Sequence, residues 1–208
     1  MRTFLFLLVL TTVISGCDIR RSSEPDFIYI DIHQDDFDQN MGWTLLPVYN
    51  SVLNDTAWAV IGEGQLKLGA QGGTGNTTAA AIYTFPDSLV DLCTGYDLLL
   101  EFKIINSVAY NTGDCSITMI FDNGFISISF TQYELFNYYN GVIGLKYEQE
   151  DELVYLLANG AEKDLFFMDD PGEIAEVSLN VWTLNATGNG YAILNAEWFK
   201  IYRLEEED

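Results

Sequence analysis

Apolar and polar side chains alternate along most of this chain, and that period of two fixes its fold class. Leu98, Leu100, Phe102 and Ile104 alternate with Leu99, Glu101, Lys103 and Ile105, the pattern of a β-strand. Residues 115–121 alternate as well. The turn Asp122-Asn123-Gly124 then leads into 125–131, where Ile126, Ile128 and Phe130 share a face; an Asn-Gly pair suits a tight hairpin. Further strands are predicted over 27–33, 65–68, 78–85, 142–147, 153–157, 165–168, 175–184 and 192–204, the last being the longest. Helix signals are scarce: 86–92, which starts at Pro86, accounts for about two turns. Glycine and asparagine gather between the strands, at 69–76, 110–113, 137–141 and 188–190, where loops are expected. Some ten short strands joined in this way predict an all-β, antiparallel two-sheet β-sandwich. An up-and-down barrel is the competing arrangement.

The chain has 49% hydrophobic and 14% aromatic residues, enough for a core and too many for a disordered tail. Its 31 acidic residues outnumber 9 basic ones, a formal charge of −22. Such a field repels phosphate backbones, so nucleic-acid binding is excluded as a function.

Residues 1–17 read MRTFLFLLVLTTVISGC: Arg2, an apolar run from Phe4 to Ile14, then small residues before Cys17. The run is shorter than the roughly 20 residues a spanning helix needs, and it has the form of a secretion signal. Ile14-Ser15-Gly16-Cys17 resembles the lipobox of bacterial lipoproteins. That resemblance implies cleavage before Cys17, acylation of its sulfur and of the new N-terminus, and a lipid bilayer as partner. Two or three acyl chains hold stably where one does not. The expected organisation is a leader over 1–16, the lipidated Cys17 with a polar linker over 17–26, and a β-sandwich domain over 27–208. The linker after Cys17 reaches at most about 30 Å, so the domain is expected in the cell envelope, close to its membrane.

With Cys17 used for lipid, Cys93 and Cys115 remain as an even pair in an oxidising compartment. A disulfide between them is the expectation, with two buried free thiols as the alternative.

Asp35-Asp-Phe-Asp38, Gly42-Trp43, the run from Trp58 to Gly64 and Leu66-Lys-Leu68 follow one another in order, and the chain closes on a strand around Ile193–Ile201. This order resembles concanavalin A-like, laminin-G-like jelly rolls of secreted bacterial proteins. The resemblance implies a jelly-roll sandwich whose closing strand lies beside the first, often used for glycan binding and sometimes holding a structural Ca²⁺.

Asp36-x-Asp38-x-Asn40 has alternating oxygen ligands, but Met41 and Pro47 stand where an EF-hand loop requires Gly and Glu. On a strand the three would share a face, and Glu197 from the closing strand would complete a Ca²⁺ site; the plainer reading is a solvated acidic edge. Glu148-Gln-Glu-Asp-Glu152 is the nearest run to a glycosidase carboxylate set, yet it lacks the central Asp and adjoins a turn, so catalysis has little support. His33 is the single histidine, which disfavours a serine triad or a multi-histidine zinc site. Tyr133, Phe136, Tyr138 and Tyr139 cluster with Glu134, Asn137 and Asn140. Flat rings beside amides suit sugar faces and hydroxyls, so Tyr133, Glu134, Asn137, Tyr138 and Tyr139 form the predicted ligand platform. The plainer reading places these rings, and all four tryptophans, in the core. A membrane-anchored, non-catalytic carbohydrate-binding module is the functional expectation. An assembly lipoprotein with protein partners is the alternative, and a glycoside hydrolase-like enzyme comes third.

Overall fold

The computed structural model describes residues 27–49, 55–72, 76–133, 135, 139–184 and 190–206, with only the backbone of Tyr133. The body is Tyr29–Glu205; a second unit comprises Met1–Ile28 and Glu206–Asp208, of which Phe27, Ile28 and Glu206 are described. Cys17, the leader and the linker lie outside the described residues. Among the described residues no helix is long and apolar enough to cross a membrane.

Among the described residues thirteen strands form two antiparallel sheets, and burial alternates along many of them. The larger sheet has eight strands. It contains β1 (Phe27–Asp35), β3 (Thr56–Gly62), β4 (Gln65–Gly72), β6 (Asp97–Tyr110), β9 (Gly141–Glu148), β10 (Leu153–Ala158), β11 (Ala161–Phe167) and β13 (Gly190–Glu206). Its order is β11-β10-β9-β6-β13-β4-β3, and β1 also pairs with β13. The smaller sheet holds β2 (Trp43–Val48), β5 (Thr77–Thr84), β7 (Gly113–Phe121), β8 (Gly124–Ser129) and β12 (Ile174–Thr183), in the order β2-β5-β12-β7-β8. Neither sheet closes on itself among the described residues, so the fold is a sandwich and not a barrel. The closing strand lies beside the first, as in a jelly roll. A short helix, α1 (Asp87–Cys93), begins after Pro86, and a 3₁₀ turn, η1 (Thr131–Tyr133), follows β8.

Between the sheets lies one apolar core. Trp43, Tyr83, Phe102 and Phe199 form its aromatic centre, with Phe102 stacked on Phe199 at 4.5 Å between ring centroids. Each such ring contributes about 1.5–3 kcal/mol by leaving water. The pairing of β6 with β13 is irregular at one place. Ala196 pairs with Ile104 and Trp198 with Lys103, which leaves Ile105 on one strand and Glu197 on the other without a partner. Buried positions in β13 are even up to Ala196 and odd at Phe199 and Ile201. An extra residue reverses which face each later side chain meets.

The expected Cys93–Cys115 bridge does not form: both thiols are free and buried. Cys93 ends α1 beside Ile174, whereas Cys115 pairs with Val181, seven residues further along β12. At about 3.3 Å per residue this places them roughly 23 Å apart, beyond the 7 Å or so that a disulfide spans. Burial pushes the Cys93 thiol up to about 11, and pushes Cys115 higher still.

Candidate functional site

The five-stranded sheet turns Ala79, Ala81, Ile117, Met119, Val177, Leu179 and Val181 toward the core. Its opposite face is built from the alternate positions. Register aligns Leu46, Ala80, Asn180, Ser116 and Ser129 across it, and in the next row Val48, Thr78, Trp182 and Asp114. Small hydroxyl residues fill the middle. The Asn180 amide donates to Ser178 Oγ at 3.0 Å and, at longer range, to Thr118 Oγ1 (3.4 Å) and Ser116 Oγ (3.5 Å), while Thr118 donates to Ser127 at 2.9 Å. Two amide hydrogens thus serve three acceptors, which fixes the Asn180 side chain over a nearly buried floor.

At the Trp182 end this face opens into a cleft of about 600 Å³, lined by Tyr110, Asn111, Thr112, Asp114, Thr131, Trp182 and Leu184 among others. That volume is in the range of small-ligand sites. The hairpin between β6 and β7 forms one wall. Gly113 permits its close approach, since a Cβ there would lie 2.2 Å from the Tyr191 carbonyl oxygen. Asn111 turns the hairpin at φ 55°, a conformation asparagine tolerates. Tyr110 is 56% exposed and stacks on Tyr191, its partner on β13, at 5.8 Å between ring centroids. Trp182, half-buried, stands across from Asp114.

The Asp114 carboxylate is held by four donors: the Cys115 amide (2.7 Å), the Thr131 amide (3.2 Å), the Thr131 hydroxyl (2.7 Å) and the Ser129 hydroxyl. It therefore ties η1 to the start of β7. The cleft thus presents aromatic rings, an amide and hydroxyls on a rigid frame.

Among the described residues, none of the predicted platform residues lines this cleft. Thr131, at the start of η1, lines it, and Tyr133 ends the same turn. Glu134, Asn137 and Tyr138 lie outside the described residues, as does the Tyr133 side chain. Tyr139 is half-buried against the core and donates its hydroxyl to the Val142 carbonyl at 3.2 Å, and Asn140 accepts from Lys103 at 2.9 Å. Sequence reasoning assigned Trp182 to the core and 110–113 to a loop. Only Trp43 is a core tryptophan (3% exposed); Trp58, Trp182 and Trp198 sit on outer faces. The even spacing of Ser178, Asn180 and Trp182 was the signal that could have found this face.

The predicted calcium set does not assemble. Residues 36–40 form a bend after β1 and not a strand, because Phe37 turns at φ 56° to bury its ring. Asp35, nearly fully buried, holds that bend by accepting from the Phe37 amide and the Trp43 indole, both at 2.8 Å. Asn40 is committed to the Gly42 and Trp43 amides. Asp36 and Glu197 do line one hollow with Gly64, and Asp38 Oδ1 lies near that glycine. Among the described residues no group of three or more His, Cys, Asp or Glu side chains could hold a metal ion.

Carboxylates are also far apart on the five strands, where Asp114 and Glu176 are the acidic residues. Glu176 lies six residues from Trp182, the partner of Asp114, about 20 Å along the strand. Glycoside hydrolysis places its two carboxyls about 5–9.5 Å apart. Glu148 sits at the end of β9, paired with Lys146 at 2.6 Å and accepting from the Tyr155 hydroxyl; Glu150 and Glu152 follow in the hairpin turn. His33 is half-buried and stacks on Tyr83 at 4.8 Å; burial lowers its pKa against the opposing pull of Asp35 and Asp31.

No protein-family model and no curated protein sequence matches the chain. Solved structures match its fold. An endo-β-1,3-glucanase from Pyrococcus furiosus aligns with a TM-score of 0.54 at 11% identity, over 88% of this chain and 100% of that one. A prokaryotic β-1,3-1,4-glucanase (lichenase) from a mouse hindgut metagenome aligns with a TM-score of 0.50 at 13% identity, over 82% and 97%. The Emp47p carbohydrate recognition domain aligns at 0.47 and 11%, over 79% and 89%. At these identities the likeness to the two glucanases bears on the fold alone, the jelly-roll sandwich described above.

Proposed function

We propose that this chain is an exported, lipid-anchored binding protein that holds a glycan in the cleft at the Trp182 end of the five-stranded sheet, without cleaving it. One observation carries the reading: Trp182 lines a cleft together with Tyr110, Asn111, Thr112 and Thr131. Rings stack on sugar C–H faces while amides and hydroxyls meet sugar hydroxyls. The wide separation of Asp114 and Glu176 favours binding over hydrolysis, and the fold shared with two glucanases agrees with a carbohydrate ligand. The anchor half of the proposal rests on the Ile14–Cys17 signal.

Two experiments test these halves separately. A glycan array probed with the purified chain should show binding that Trp182→Ala removes; an array with no binding contradicts the glycan half. Intact-mass analysis of the membrane-extracted protein should find Cys17 as the first residue, carrying diacylglyceryl and acyl groups. An unmodified thiol contradicts the anchor half.

A further inference from the structure

The basic residues of the body divide unequally between the sheets. Lys67, Lys103, Lys146, Lys163, Lys200 and Arg203 are all six of those in Tyr29–Glu205, and every one lies in a strand of the eight-stranded sheet. The five strands that carry the cleft contain no Lys or Arg, although they do contain Asp114 and Glu176. Asp114 lies in the cleft itself, and its four donors are amides and hydroxyls, none of them a cation. A chain of formal charge −22 surrounds this region.

From this arrangement we infer that the site selects uncharged sugars and rejects acidic ones; the inference rests on the glycan reading above. A neutral sugar loses nothing here, because its hydroxyls meet the polar groups of Asn111, Thr112 and Thr131. A uronic, sialic or sulfated sugar brings a second negative charge beside Asp114 with no cation to offset it. Two unit charges about 6 Å apart, at an effective dielectric constant near 20, repel enough for roughly a hundredfold loss of affinity. Screening by salt reduces this at the open rim. Specificity of this kind comes from an unfavourable contact built against the wrong ligand.

The test is calorimetric titration of the purified chain with neutral gluco-, manno- and xylo-oligosaccharides beside oligogalacturonate and sialylated oligosaccharides, in low and high salt. The expected result is binding of a neutral probe, with acidic probes at least tenfold weaker in low salt and a gap that narrows as salt rises. Leu184→Lys, at the exposed cleft rim, should raise the ratio of acidic to neutral affinity several-fold. Should that variant fold poorly, the wild-type salt series decides the same question. Acidic probes that bind as tightly as neutral ones overturn the selectivity and leave the glycan reading intact. Failure of every probe removes the glycan reading and the selectivity together.

Discussion

The two outer faces of this sandwich share one fold and differ in chemistry. On the eight-stranded sheet several lysines are individually engaged: Lys146 with Glu148 at 2.6 Å and over the Tyr155 ring, Lys200 over Trp198, Lys67 with Glu63 at 3.2 Å. These are local charge pairs of a solvated surface, each contributing under about 1 kcal/mol. On the five-stranded sheet one amide, Asn180, binds three hydroxyl residues together beside an aromatic cleft. The difference teaches that one face orders its polar groups through neutral hydrogen bonds and the other through local contacts of single cations.

The largest expected effect separates the faces directly. Trp182→Ala should weaken glycan binding by tenfold or more, in the range of a hot-spot residue, while Trp58→Ala and Trp198→Ala leave it unchanged; equal losses from all three would erase the distinction. Next, Asn180→Ala should lower stability by about 1 kcal/mol in denaturant titration and weaken binding, because three hydroxyls lose a common partner. Lys146→Ala, by contrast, should cost under about 1 kcal/mol and leave binding untouched.

A smaller effect probes the seam between the sheets, where His33 of β1 stacks on Tyr83 of β5. Burial lowers the folded-state pKa of His33 below its ordinary 6.5, so below that value the unfolded chain binds a proton that the folded chain refuses. Its contribution is full above about pH 6.5 and is lost as pH falls toward the folded pKa. Thermal melts between pH 7.5 and 5.5 should therefore fall more steeply for the wild type than for His33→Gln. Equal slopes would place His33 in water. The thiols give a yes-or-no result: the native protein should leave Cys93 and Cys115 unreacted with a thiol reagent, and denaturation without reductant should expose both. No reaction after denaturation would restore the bridge.

Much of the fold was legible because alternation depends only on neighbours. Eleven predicted strands correspond to observed ones, and 86–92 foreshadowed α1. β2 and β3 escaped notice: β2 contains Pro47 and is an edge strand, and β3 keeps Trp58 and Val60 exposed, so neither has the signature of a buried strand. The paired irregularity at Ile105 and Glu197 was also hidden, since an extra residue shows only against its partner strand. Site residues depend on distant pairings. Asp36, Asp38 and Asn40 look equivalent in sequence, yet Phe37 needs the core and bends the chain there, which divides them among three settings. Trp182 reads like any strand tryptophan until register sets it opposite Asp114.

The four tryptophans allow a direct test, since Trp43 lies in the core, Trp58 and Trp198 on the larger sheet and Trp182 in the cleft. Two-dimensional NMR of the indole N–H signals during titration with a bound neutral oligosaccharide reads all four at once. The Trp182 signal should shift progressively while the other three stay in place. A shift of Trp58 or Trp198 with Trp182 unmoved would put the ligand on the opposite face and contradict the account.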